Sequence, residues 1–183
     1  MTLEDQLQTL SELGLCLNEG VTIQDLLDSW GRTAYERKPF DLIFVALGSE
    51  VEREPWGAIC TSVWHFDTEC IYMPGDYIQI AKRLALLSGD PNYLTDVSDH
   101  VDLAAGSAWL KYTVNGKERF WTVDVHDDWV DMMVLFYLFD DLARDGHQFY
   151  SISNGQTMTL FYLDMERATK LSNLTNGMLK PIG

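Results

Sequence analysis

The sequence predicts an α+β fold: a mainly antiparallel β-sheet built from hairpins, with helices packed against it and two helices at the N-terminus. Three observations carry this. Asn-Gly stands between β-forming runs at Asn115-Gly116 and again at Asn154-Gly155, and Asn-Gly is the preferred pair for a two-residue hairpin turn. Apolar residues recur at helical spacing in stretches bounded by Gly, Asp and Thr. No regular strand–helix–strand alternation runs along the chain. With 183 residues, 46% of them hydrophobic, residues 1–183 read as one domain able to bury a core without disulfides or metals.

The elements follow in order. Leu3, Leu7 and Leu10 mark a first helix that Gly14 can end. Thr22 can cap a second, with Asp25 three residues on and Ile23, Leu26, Leu27 and Trp30 as its stripe; Gly31 stops it. Phe40 to Leu47 is a short apolar run rich in β-formers and reads as a buried strand. Residues 48–57, with their Gly, Glu and Pro, read as a loop, and Ala58 to Phe66 as a strand that can pair with the first. Asp76 can cap the next helix with Gln79 in the reciprocal position, and Tyr77, Ile80, Ala81, Leu84 and Leu87 form its inner face.

Next comes the strongest hairpin, Ala108–Val114 with Lys117–Val125. A type I′ turn at Asn115-Gly116 sets Val114 opposite Lys117. Leu110, Tyr112, Val114, Trp121, Val123 and Val125 then share the core face. Trp109, Lys111, Thr113, Glu118, Phe120, Thr122 and Asp124 share the other. Residues 129–143 form a helix that is apolar nearly all round, so it must be covered on most sides or sit at a subunit interface. The second Asn-Gly hairpin joins Phe149–Ser153 to Gln156–Leu163. A helix from about Asp164 to Thr175 closes the chain, with Asn176-Gly177 as its stop.

Charge and cysteine usage narrow the function. The net charge is -15, from 28 acids against 13 bases. Such a field repels nucleic acid and anionic membranes and favours a basic protein, a polyamine or a metal ion. The acids are spread over both halves, so there is no acidic tail. Cys16, Cys60 and Cys70 are odd in number and fit no zinc spacing, and no signal segment precedes them, which suits a reducing cytoplasm. The apolar run Met132–Phe139 is too short to cross a bilayer.

The segment Asp124-Val125-His126-Asp127-Asp128-Trp129-Val130-Asp131 joins the hairpin to the apolar helix and is the first place to look for chemistry. Crowded carboxylates need water, a cation or a proton to relieve their repulsion. Asp124, His126, Asp127 and Asp131 are suitable ligands for a divalent cation. The plainer account makes Asp127 or Asp128 the N-cap of the following helix, with Asp131 favouring its dipole. A second acidic cluster, Asp96, Asp99, His100 and Asp102, lacks the EF-hand spacing. It reads as an edge strand whose charges discourage aggregation, with Asp99 on the face opposite the others. A third stretch, Trp64 to Cys70, offers His65 as a base and Cys60 or Cys70 as a nucleophile, but Glu69 opposes a thiolate at Cys70. No nucleophile elbow, phosphate loop, dinucleotide fingerprint or H-E-x-x-H is present.

Trp109 and Phe120 are near neighbours on the polar face of the hairpin. Such aromatics are more often covered by a helix; left open, ringed by acids, they anchor a basic protein. The reading that follows is a non-enzymatic domain binding a protein with a basic surface through Trp109, Phe120, Asp124, Asp128 and Trp129. Its biological form would be an inhibitor or immunity-type protein. In size, acidity and aromatic content the chain resembles bacterial immunity proteins, a likeness of composition. The alternative is a divalent-metal-dependent hydrolase using the 124–131 cluster with His126 or His100. A homodimer through helix 129–143 is the third option.

Overall fold

A computed structural model of the chain describes residues 1–182. Among them are seven helices and two antiparallel sheets, an α+β arrangement with helices packed against sheets. The fold class matches the sequence expectation. The chain contacts itself as two compact units: Met1–Phe66 with Tyr150–Pro181, and Asp67–Phe149 with Ile182.

The first unit opens on α1 (Leu3–Ser11), α2 (Ile23–Ser29), α3 (Arg32–Arg37) and α4 (Leu42–Leu47). The Thr22 and Asp25 pairing holds: the Asp25 carboxylate accepts the Thr22 amide at 2.7 Å. It also binds Arg53 from the following loop, and that guanidinium drives the Asp25 pKa well below the usual carboxylate range. Helix α3 was not expected. Gly31, read as a stop, is also its N-cap.

The strand expected over Phe40–Leu47 is a correction, because these residues form α4. Ile43, Phe44, Ala46 and Leu47 are buried while Leu42 and Val45 are half-buried, a helical rhythm. A short apolar run buried on most sides carries no periodicity that separates strand from helix.

The strand expected from Ala58 begins later, as β1 (Val63–Asp67). Its partners come from the far end of the chain: β5 (His147–Ser153), β6 (Thr157–Asp164) and β7 (Lys180–Pro181), in sheet order β1-β6-β5-β7. Helix α7 (Met165–Leu174) ends at Asn176 and Gly177 as expected. Both have positive φ, and the Gly177 amide reaches back to Ser172 O at 2.8 Å, closing a Schellman turn. The core of this unit gathers Leu3, Leu10, Leu26, Ile43, Phe44, Leu47, Val63, Phe161 and Leu171.

The second unit holds α5 (Asp76–Leu87), β2 (Leu94–Asp102), β3 (Ser107–Val114), β4 (Lys117–Val123) and α6 (Met132–Leu142). Its sheet runs β2-β3-β4 with β3 central. Asn115 and Gly116 both have positive φ, as a type I′ turn requires, and Val114 lies opposite Lys117. That register puts Leu110, Tyr112, Val114 and Val123 in the core. Helix α5 packs on β2 and on α6.

Helix α6 is tied to the hairpin by Asp141, which accepts two hydrogen bonds from Arg119 (2.7 and 3.0 Å) and one from the Tyr112 hydroxyl (2.8 Å). Tyr112 in turn accepts from Trp121 Nε1 at 3.0 Å. Burial, then Asp141, raises the Tyr112 pKa, so its hydroxyl remains a donor.

Candidate functional site

Two surfaces of the second unit carry the residues singled out from sequence. The first is the outer face of the β2-β3-β4 sheet. His100 pairs with Trp109 across β2 and β3, and Lys111 pairs with Phe120 across β3 and β4. Their side chains make one aromatic row: His100 and Trp109 stack with centroids 6.1 Å apart, and Trp109 meets Phe120 at 5.5 Å. The commoner outcome, a helix covering these aromatics, is not what is found. Phe120 is 55% exposed and Trp109 half-buried. The period-2 pleat places Asp102 and Glu118 on the same face, with Asp124 just past the end of β4. Lys111 is engaged by Glu118 at 2.8 Å.

The second is the link from β4 to α6. The chain turns at residues 126–129, where the Trp129 amide donates to His126 O at 3.1 Å and Asp127 takes φ +54°, a conformation that Asp tolerates better than most residues. The helix begins later than expected. Its N-cap is Asp131 rather than Asp127 or Asp128, with Oδ1 accepting the Met133 amide at 2.8 Å. Oδ2 of Asp131 accepts the Asp124 amide at 2.8 Å. Both oxygens are therefore occupied by backbone donors. The Asp131 amide donates to the Tyr77 hydroxyl at 2.9 Å. His126 Nε2 lies 2.9 Å from Asp124 Oδ2 in an exposed pair. Asp127 is exposed in the turn, and Asp128 is held through its backbone, its carbonyl accepting the Ile71 amide at 2.9 Å. Among the described residues, no group of three or more His, Cys, Asp or Glu is placed to hold a metal ion.

The structure thus divides the five residues proposed for partner binding. Trp109 and Phe120 lie together on the sheet face, with Asp124 at its margin. Asp128 and Trp129 belong to the linking turn.

The 96–102 cluster also resolves into separate tasks. It lies on an edge strand, as expected, interrupted by a bulge between Thr95 and Ser98 where Asp96 takes φ +52°. Asp102 accepts the Ala105 amide at 2.9 Å. Asp99 does something the sequence did not announce: its carboxylate accepts the amides of Gly75 (2.8 Å), Tyr77 (3.1 Å) and Ile78 (3.3 Å), satisfying the N-terminus of α5. The expected cap, Asp76, instead accepts the amides of Tyr72 and Met73 in the preceding turn, and Gly75 is the N-cap. Local spacing could not reveal this, because the capping group arrives more than twenty residues later by strand–helix packing.

No family model, curated protein or solved structure matches this chain. The reading of function therefore rests on the residues themselves.

Cysteine chemistry finds no support. Burial, together with Asp76, Asp67 and Asp128, pushes the Cys70 thiol up to about 12. A thiol held protonated is a poor nucleophile. With the folded pKa raised, the fold gains from the protonated thiol below the unfolded value of about 8.5 and loses that gain as pH climbs toward the folded value. Cys60 is buried and Cys16 exposed. In the native protein at pH 8, a disulfide reagent is expected to titrate Cys16 rapidly, the half-buried Cys70 slowly, and Cys60 only after unfolding. Fast reaction of Cys70 would show an activated thiolate.

Proposed function

We propose that the chain is a non-enzymatic acidic domain that binds another protein, one with a basic surface, through the outer face of its three-stranded sheet. The observation that carries this is the open row His100–Trp109–Phe120, rimmed by Asp102, Glu118 and Asp124. Large aromatics supply the anchoring area of protein interfaces, and surrounding charge of one sign selects and steers a partner of the other. A net charge of -15 extends that steering over the whole chain. An inhibitor or immunity-type protein neutralising a basic enzyme is the biological form that acidity and aromatic content favour. The hydrolase alternative draws no support from the 124–131 geometry, where both Asp131 oxygens serve backbone amides.

The experiment is affinity capture from cells of the source with the partner identified, comparing wild type, Trp109→Ala and Phe120→Ala. The expected partner is basic, its binding falls with added salt, and both substitutions abolish capture. Phe120→Ala should leave stability within about 0.5 kcal/mol, as for most exposed positions. Capture that survives both substitutions would rule out the sheet face.

A further inference from the structure

The inward side of α6, made by Val134, Leu135, Leu138, Phe139 and Leu142, is buried. Its outward side is also apolar. Met133 is 54% exposed, Phe136 38% and Tyr137 36%, at the i, i+3, i+4 spacing of one helical stripe. Trp129, also exposed, precedes the stripe, and Trp121 stacks on Tyr137 with centroids 3.9 Å apart, holding that ring in place.

Charge decides what such a stripe can receive. From Phe120 to Ala143 the chain carries six aspartates and no Lys or Arg. Asp131 and Asp141 are occupied internally, but Asp124, Asp127 and Asp140 face solvent. A second copy of this chain would bring the same aspartates, and the nearby base, Arg119, is already held by Asp141. A cationic segment meets no such repulsion.

We propose that the outward stripe of α6 is a second docking site, and that its occupant is a cationic amphipathic helix of a partner protein. The apolar side chains from Met133 to Tyr137, a little over one helical turn, match the ridge of an opposing helix. Met133 is flexible and polarizable, so it can adapt to the side chains it meets. The flanking aspartates pair with Lys or Arg on the polar margins of the incoming helix.

The probe is a synthetic Leu/Lys peptide of roughly 18 residues, about 27 Å as a helix, with leucines at helical spacing. A scrambled peptide of the same composition is the control. Binding to the full chain is read by anisotropy. The expected result is binding of the patterned peptide alone, weakened at least about tenfold by Met133→Glu and by Phe136→Glu (~1.4 kcal/mol each), and unchanged by Phe120→Ala. Thermal midpoints near that of wild type confirm that both variants fold, and Met133, the more exposed, serves by itself if Phe136→Glu does not. No binding, or equal binding of the scrambled peptide, overturns the proposal. So does loss with Phe120→Ala but not with the α6 variants, which would move the peptide to the sheet face. A dimer in sedimentation that Met133→Glu dissociates would assign the stripe to a second copy instead. Failure here leaves the sheet-face reading intact, since that reading stands on Trp109 and Phe120.

Discussion

Gly48→Ala is expected to destabilise the protein by about 3 kcal/mol, at the upper end of overpacking effects, seen as an earlier midpoint in urea. Gly48 closes α4, donating its amide to Phe44 O at 3.1 Å, and its own carbonyl accepts the His65 amide at 2.9 Å. The backbone of β1 lies so close that an added Cβ would overlap His65 N and stand 2.7 Å from His65 Cβ and 2.9 Å from the Trp64 carbonyl carbon. Two of these three atoms are backbone, so no side-chain rotation relieves the clash. Either α4 or β1 must shift, and the His65–Gly48 hydrogen bond goes with it. Gly57→Ala, in the loop that follows, is the control: nothing lies within 4 Å of its added Cβ, and its effect should stay within about 0.5 kcal/mol. Equal midpoints for the two variants would show that α4 and β1 are not this close in solution.

The second large effect falls on Asp99. Asp99→Ala removes a carboxylate that accepts from three amides at the start of α5. Side-chain caps are worth about 0.5–2 kcal/mol and hydrogen bonds to charged groups about 1.5–3 kcal/mol. An expected loss of about 2–3 kcal/mol follows, or roughly 5–10 °C in thermal midpoint for a chain of this size. Amide exchange at Gly75, Tyr77 and Ile78 should accelerate more than in the rest of α5. Asp99→Asn keeps an acceptor oxygen and should lose less. If Asp99→Ala costs under about 0.5 kcal/mol, water or another group satisfies the helix end.

What the sequence revealed, and what it hid, divides by the range of the interaction. Asn115-Gly116 fixes turn type and register within a few residues, so the pairing of β3 with β4 was legible, although β4 ends at Val123 rather than Val125 and Trp121 and Val125, expected in the core, are half-buried. Thr22 with Asp25, and Asn176 with Gly177, are local in the same sense. Residues 42–47 were misread because burial on most sides erases the period that separates helix from strand. Asp99 was hidden because its partners lie more than twenty residues away. At the candidate site, Trp109 and Phe120 were found by pleat parity alone, but whether anything covered them depended on where α5 and α6 pack. The crowding inferred at 124–131 came from sequence adjacency; in the structure the Asp131 oxygens serve backbone amides and Asp124 pairs with His126, which spacing alone could not reveal.

The sheet order of the first unit has a consequence for synthesis. Strand β1 sits at an edge and its neighbour is β6 (Thr157–Asp164). A ribosome completes β1 long before β6 exists. At about 5–20 residues per second the delay is on the order of 5–20 s. Throughout it, Val63, Trp64 and Phe66 belong to a strand whose sheet neighbour has not yet been made. Meanwhile Asp67–Phe149, contiguous in sequence, is made in full. The middle of the chain is therefore free to fold first during translation. The amino-terminal helices, though made earlier, gain their core partners Phe161 and Leu171 only once β6 and α7 are made.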